Sequence, residues 1–538
     1  MLDSNIQFEI KWWSNKMGVP QHRIFNNSTL KNMDDCTNNN FLRNAELTLN
    51  NISEFYADSK IFITGATGFV GKALVEKLLR SCEKVDAIFL LVRPKKGITV
   101  ELRIKELFKN PVFDRIRDKN PEAFEKVKVI PGDVALPNLG LSDADKQFLI
   151  DNIDIVYHSA ATVKFNEALK NAVILNTLGT KRVLDLCKKM NRLKCCVHIS
   201  TVFCNSDKET IEEMVYQSTY DAYTIMNLVE NLPEDVIESI SNRLVGKHPN
   251  TYTFTKALAE QIVQEYSSEL PLAIVRPSII TSAWKEPYPG WVDNVSGITG
   301  ILMECGRGTI KTIICDDRRR MELVPVDMVV NTLIAAAWHT VAHRSTTMRV
   351  YNCTSGKLNP ILWREFGRHT QKHAIVWPSK YVTWYPGFTY RTSRTMHVIC
   401  AGLFHFVPSA ILDSYLYCTG QKPMMFRLSK KFYQALEAGS FFSTHEWEFK
   451  LHTMRSLVEA VRLAEDGKKF ETDLSADNGF DWDIYIGDFL RGIRRFVLKD
   501  DDASLAAARV KLNRLYWFQR IFQIMSAYLA LKMAMSYF

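Results

Sequence analysis

The sequence lacks the features that would settle a class at sight. It has no long run of basic residues and no interleaving of basic and aromatic side chains. Its formal net charge of +9 therefore gives no ground for a nucleic-acid partner, while attraction to anionic lipid or an anionic substrate stays open. No two cysteines stand in CxxC spacing; the 11 are scattered from Cys36 to Cys418. That is the pattern of reduced intracellular thiols, not of a disulfide framework, and no metal site is expected. No apolar stretch follows a basic start in MLDSNIQFEIKWWSNK, so a secretory signal is not expected. No internal repeat is present. What remains is 538 residues, 46% hydrophobic and 24% charged, a globular composition with room for two or three domains.

Residues 1–55 are polar and rich in asparagine, as in DDCTNNN at 34–40, and read as a flexible extension. From 56 to about 375 apolar runs alternate with helical periods. IFIT, AIFLLV, VKVIPG, IDIVYHSA, CCVHIST and LAIVRPS read as buried strands, with segments such as KALVEKLLRS between them. That alternation predicts an α/β fold, a Rossmann-type doubly wound parallel sheet covered on both faces. Residues 376–500 are rich in Trp, Tyr, Phe and His without the alternation, and WPSKYVTWYPGF makes a loop-like boundary. A smaller, mainly helical C-terminal domain is expected there. The last 22 residues are mostly apolar; as a helix they would span roughly 33 Å, near the thickness of a hydrocarbon core. A membrane anchor is expected over 515–538, spanning the bilayer or lying on it, with Lys532 awkward for a straight span. The stretch VICAGLFHFVPSAIL at 398–412 contains a proline and reads as too short to cross; a tunnel wall or a bilayer contact is expected of it.

TGATGFVG follows the first strand and opens a helix. Gly65, Gly68 and Gly71 are the residues a tight turn around a pyrophosphate needs, and Thr67, Phe69 and Val70 share the loop. With a strand before and a helix after, the loop predicts a dinucleotide site. The second strand ends not in an acidic residue but in Arg93, with Lys95 and Lys96 beyond. Those charges suit a 2′-phosphate, so NADPH is expected over NADH. Asp133 and Val134 end another strand where the adenine would lie, and Ala160 and Ala161 are small where the cofactor passes.

YTFTKALAE places Tyr252 four residues before Lys256, one helical turn apart. The preceding strand ends in Ser200 and Thr201, at the sheet edge where open α/β folds bind ligands. A free phenol titrates near pH 10; a nearby ammonium is expected to lower it. The tyrosine would then give a proton to a carbonyl oxygen that the hydroxyl also holds. His158 reads as packing or a supporting residue.

The series TGATGFVG, Thr201 and Tyr252-xxx-Lys256 resembles the extended short-chain dehydrogenase/reductases. VIPGDVALPNLGLS, VYHSAATVKFNEALKNAVILNTLGT, YTFTKALAE, PGWVDN, KPMMFRLSKKFYQAL, FFSTHEWEF and DWDIYIGDFLRGIRRFVLK narrow the resemblance to the alcohol-forming fatty acyl-CoA reductases. It covers about 55–500. It implies reduction of a long-chain acyl-CoA by two NADPH, through a bound aldehyde, to a primary alcohol and free CoA. It implies Tyr252, Lys256 and Thr201 or Ser200 as catalytic groups, with alignment favouring Thr201, and Asn176 as a residue orienting the lysine through water. Phe203 departs from the tyrosine often found at that position. Another extended reductase, acting on a sterol or sugar-nucleotide carbonyl, or a silent binder of acyl-CoA or NADPH are the alternatives. With no secretory signal expected, the catalytic part is expected to face the cytosol, at the endoplasmic reticulum first or secondly the peroxisomal membrane; oligomeric state is left open.

Overall fold

The computed structural model describes residues 50–94, 97–343 and 347–536. Seven strands form one sheet: β1 Lys60–Thr64, β2 Ala87–Val92, β3 Val127–Pro131, β4 Ile155–His158, β5 Cys195–Ile199, β6 Leu272–Pro277 and β7 Arg349–Cys353. Their order is β7-β6-β5-β4-β1-β2-β3, and every pairing is parallel. β2 and β6 are buried at every position, as continuous apolar runs in a sheet covered on both faces must be. The chain builds outward from β1 to β3, then returns beside β1 as β4. The reversal opens a crevice at the C-terminal ends of β1 and β4. β7, RVYNC, is not among the six strands expected, because Arg349 and Asn352 interrupt its apolar pattern. Asn352 is buried and its side-chain amide donates to the carbonyls of Ile211 and Lys450.

The principal helices are α1 Phe69–Ser81, α2 (169–187), α3 Thr251–Tyr266, α4 Ile298–Arg307, α5 Val326–Ala342, α6 Trp363–Val376, α7 Arg394–Cys418, α8 Met425–Thr444, α9 His452–Leu463, α10 Trp482–Gly492 and α11 Leu505–Ser536. α1 and α5 pack on one face of the sheet, α2 and α3 on the other. α5 buries every residue from Val326 to His339, so it reads as apolar all round.

The mainly helical C-terminal part shares its core with the sheet. Trp447, Phe449, Leu457, Phe470, Tyr485 and Phe489 belong to the same buried cluster as Leu323, Val329 and Trp338. Two short parallel pairings stitch the parts together, Thr210–Ile211 with Glu448–Phe449 and Thr312–Ile314 with Thr389–Arg391. The polar extension ends sooner than residue 55. Asn51 caps a short helix, Ile52–Phe55, whose Ile52 is fully buried, and the backbone N–H groups of Ile52 and Ser53 donate to Asp466.

The apolar segment around 398–412 also differs from expectation. It belongs to α7, a continuous helix of 25 residues, the one helix among the described residues long and apolar enough to cross a membrane. A widened π-type turn, Gly402–Phe406, stands just before Pro408. Such a turn accommodates the missing N–H and the bulk of a helical proline, so the helix continues. α11 is longer, about 48 Å for its 32 residues, but Arg514, Arg520 and Lys532 interrupt its apolar surface. It begins ten residues before the expected 515.

Candidate active site

The glycine loop turns at Gly65, where φ is +75°. A Cβ there would lie 2.7 Å from the Ala160 nitrogen, so only glycine lets β1 turn against the end of β4. A Cβ on Gly71 would strike the Gly65 carbonyl oxygen at 2.3 Å; its absence seats α1 on the turn. Gly68 is the N-cap of α1 and brings no side chain to it. The leading N–H groups, at Phe69 and Val70 beside Thr67, are thus left for an anion. These features fit the pyrophosphate of a dinucleotide.

The Ala160 N–H donates to Thr64 Oγ1 at 3.2 Å, which holds Ala160 and Ala161 across from the loop. Thr64 Oγ1 also meets His158 Nδ1 at 2.8 Å, and His158 Nε2 meets Thr180 Oγ1 at 3.1 Å. His158 is buried and fully engaged, its pKa pushed down to about 3 by burial and then by Lys256. It is a neutral strut of the loop. At the end of β2 the Arg93 side chain is 67% exposed, with Nε 3.8 Å from Asp133 Oδ2. Asp133 Oδ1 accepts from the Ala135 N–H at 3.0 Å, and Val134 packs on Gly179 of α2. Lys95, with Lys96, lies outside the described residues.

Asn250 caps α3 through the Thr253 N–H, which puts Tyr252 in the first helical turn. Its half-buried ring stacks on Phe165, centroids 6.0 Å apart. Lys256 follows one turn later, buried, and its Nζ donates to the Ile199 carbonyl at 2.7 Å. Thr201, at the end of β5, donates to the Pro277 carbonyl at 3.4 Å and accepts from the Phe203 N–H at 3.3 Å. Thr201 neighbours the Tyr252 phenol and slightly offsets the effect of burial on it, while Ser200 lies beside Cys204.

The electrostatics overturn one expectation. Burial, reinforced by Cys204, raises the Tyr252 phenol above its ordinary value, against a smaller opposite effect of Thr201. No lowering by Lys256 offsets this; its Nζ is turned to the Ile199 carbonyl. Burial instead pushes Lys256 down to about 8, against the pull of Glu260 and Cys204. Asn176 makes no direct hydrogen bond to the lysine. Its Oδ1 accepts from the Thr162 N–H at 2.8 Å, and its Nδ2 donates to Thr255 Oγ1 at 3.0 Å and the Thr162 carbonyl at 3.2 Å. It pins the loop after β4 to α3.

Two groups of residues escaped the sequence reading. Beneath Lys256 lies an ion pair, Glu260 with Arg276, both at most 1% exposed. Arg276 Nε and Nη2 donate to the two carboxylate oxygens at 2.8 and 2.5 Å, and the guanidinium also holds the carbonyls of Glu212 and Met214. The spacing of Glu260, four after Lys256 on α3, was its only sequence signal. Above Tyr252 stands an aromatic wall. Phe165 contacts Phe442 at 5.4 Å, and Phe203 contacts Phe442 at 5.0 Å and Trp447 at 5.5 Å. Phe442 and Trp447 come from the C-terminal part, so both parts of the chain build this site.

Comparison with known proteins gives the same frame. Two family models, both described as male sterility protein, match residues 63–333, as an NAD-binding domain, and 404–500. Fatty acyl-CoA reductase 1 of Rattus norvegicus is 38% identical over 464 residues, 86% of this chain and 89% of the relative. The Homo sapiens reductase 1 and the Mus musculus fatty acyl-CoA reductase 2 are each 36% identical over the same shares. In fold, the chain is similar to the reductase domain of a non-ribosomal peptide synthetase from Mycobacterium tuberculosis, with TM-score 0.55 and 16% identity over 85% of this chain and 96% of that one. It is also similar to the terminal reductase domain of the myxalamid pathway, with TM-score 0.52 and 19% identity over 82% and 91%. With these relatives and this dinucleotide loop, the chain belongs to the fatty acyl-CoA reductase family and is an oxidoreductase that uses a nicotinamide cofactor.

Proposed function

We propose that the protein reduces long-chain acyl-CoA to a primary alcohol with NADPH, with Tyr252, Lys256 and Thr201 as its catalytic groups. The observation that carries this reading is the position of Tyr252 in the first turn of α3, with Lys256 one turn on reaching the end of β5, under an apolar aromatic wall. Bound on the glycine loop, the nicotinamide supplies hydride. Tyr252, raised by burial, is protonated at neutral pH and gives its proton to the carbonyl oxygen; Thr201 holds the same oxygen. Lys256 supplies positive charge below the pair. In the first reduction hydride adds to the carbonyl carbon and Tyr252 protonates its oxygen; the hemithioacetal then breaks its C–S bond, its hydroxyl proton leaves with CoA as the thiol, and solvent reprotonates Tyr252. The aldehyde then takes a second hydride and a proton to become the alcohol. Phe165, Phe203, Phe442 and Trp447 exclude water from the aldehyde. Asn176 acts through the Thr162 loop as a positioning residue.

NADPH is the preferred reductant in this reading, because Arg93 stands exposed at the end of β2, with Asp133 at 3.8 Å. A charge-assisted contact to a 2′-phosphate contributes about 1.5–3 kcal/mol. Arg93→Glu is accordingly expected to raise KM for NADPH by roughly ten- to a hundredfold and to leave KM for NADH unchanged. Steady-state titration of both cofactors checks it; an equal effect on both would show that Arg93 does not read the phosphate.

We propose membrane attachment through α7 and α11. Both present large apolar side chains to solvent, Leu403, Phe404, Ile411 and Tyr415 on α7 and Trp517, Phe518, Ile521 and Met525 on α11. Both leave the body near Lys311, which forms no ion pair among the described residues. Its backbone N–H donates to His405 of α7 and its ammonium to the Tyr385 carbonyl, and Tyr385 packs on Tyr516 of α11. The endoplasmic reticulum is the first compartment we propose and the peroxisomal membrane the second, with the catalytic part in the cytosol. Carbonate-washed microsomes should retain the full chain, with protease added outside removing residues 56–375. Recovery of the chain in the soluble fraction would contradict attachment.

A further inference from the structure

α8 runs from the hairpin turn after α7 down to the active site, and it contains a glycine that nothing in its surroundings requires. Gly439 is in the helix interior, where glycine is among the poorest residues. Its φ is not positive, and a Cβ built on it meets no atom within 4 Å. It faces a narrow apolar cavity of about 40 Å³ between α8, α4 and α6. Leu436 and Ser443 line the cavity from the same face of α8, at i−3 and i+4, and Ile301 and Cys305 of α4 line it from another side. The cavity suits an apolar occupant, because two of its polar side chains are already engaged. Ser443 Oγ donates to the Ile314 carbonyl at 2.7 Å and Thr370 Oγ1 to the Phe366 carbonyl at 2.8 Å. The rest of the lining is mostly apolar side chain, with Trp363 Nε1 a buried donor that has no partner among the described residues.

The cavity adjoins the site of reaction. Phe442, next to Ser443 and on the neighbouring face of α8, touches Phe165, which stacks on Tyr252. We propose that the acyl chain, its carbonyl at Tyr252, passes Phe442 and lodges its methyl end beside Gly439, so that residue 439 sets the longest chain accepted. The proposal rests on the acyl-CoA reading of the active site. It gives the aromatic C-terminal part a role in measuring the substrate, and it explains a glycine kept against helix propensity.

The test compares kcat/KM for C18 and C12 acyl-CoA with NADPH in the full chain, Gly439→Leu and Gly439→Ala. A leucine fills the far end of the cleft. The C18-to-C12 ratio is expected to fall at least about tenfold in Gly439→Leu, the scale on which a site discriminates a few methylenes. In Gly439→Ala the ratio should stay near that of the native chain, with a higher melting temperature because alanine is the better helix former. An unchanged ratio in a folded Gly439→Leu protein overturns the proposal. Should that variant not fold, Cys305→Phe fills the cleft from the opposite wall and carries the same expectation. A C18 acyl-CoA with a photoreactive diazirine at its methyl end separates this inference from the reading it rests on. Labelling of 298–305 or 436–443 supports the cleft, and labelling confined to other segments overturns it. Failure of the native chain to reduce any acyl-CoA would instead sink the reaction, whatever the label shows.

Discussion

Tyr252→Phe is expected to lower kcat by roughly 10²–10⁴, the contribution of a positioned general acid, while the affinity for NADPH stays unchanged. The substitution removes one oxygen and keeps the ring, so the stack on Phe165 is retained. Fold and cofactor loop are untouched, because Tyr252 makes no contact with Gly65 or α1 in building them. Stopped-flow loss of cofactor absorbance, together with cofactor binding by fluorescence, separates the two effects. A variant that binds NADPH and still turns over within a few-fold of the native chain would remove Tyr252 from the chemistry. The pH dependence follows from Lys256. Its ammonium, ordinarily lost near 10.5, is lost near 8 here because burial disfavours the charged form. The positive charge beneath the phenol is therefore present below about pH 8 and disappears above it. kcat/KM, which reports the free enzyme, should fall as pH rises through that value.

Arg276→Met is expected to cost about 3–5 kcal/mol of stability, the price of leaving one partner of a buried pair uncompensated. Glu260 would remain as an isolated carboxylate in the core, and the carbonyls of Glu212 and Met214 would lose their donor. The same loop carries Thr210–Ile211, which pairs with Glu448–Phe449 of the C-terminal part. The loss should therefore loosen the aromatic wall as well as the sheet. Urea unfolding measures the cost. The double change Glu260→Met with Arg276→Met should recover part of it, since no unpaired charge is left. A single variant within about 1 kcal/mol of the native chain would show that water already reaches the pair.

The sheet was legible because most of its strands are buried apolar runs, the texture of strands covered on both faces, while β3, VKVIP, at the sheet edge, keeps Lys128 exposed. β7 was not, because two polar residues in RVYNC find partners, Asn352 on Ile211 and Lys450, that no local pattern announces. The glycine loop and the Tyr252-xxx-Lys256 turn are local motifs, and the structure brings both to one sheet edge. What the sequence could not display is direction. Lys256 has the spacing to support Tyr252, yet its Nζ reaches the Ile199 carbonyl. Asn176 lies in the right helix, yet it bonds Thr162 and Thr255. Likewise FFSTHEWEF shows its aromatics in the sequence, but only tertiary packing sets Phe442 and Trp447 beside Phe203, 239 and 244 residues away in the chain. The apolar stretch at 398–412 was underestimated because proline was read as a stop, whereas a π-type turn carries the helix through it.

One measurement tests the central claim most directly. Membranes holding the full-length chain are given C16 or C18 acyl-CoA with NADPH or with NADH, and the products are identified by gas chromatography. The account predicts fatty alcohol and free CoA, with two NADPH oxidised per alcohol and far less product with NADH. Cofactor shown to bind but never oxidised with any acyl-CoA would contradict it, and would return the Tyr252 site to a different carbonyl substrate or to binding without chemistry.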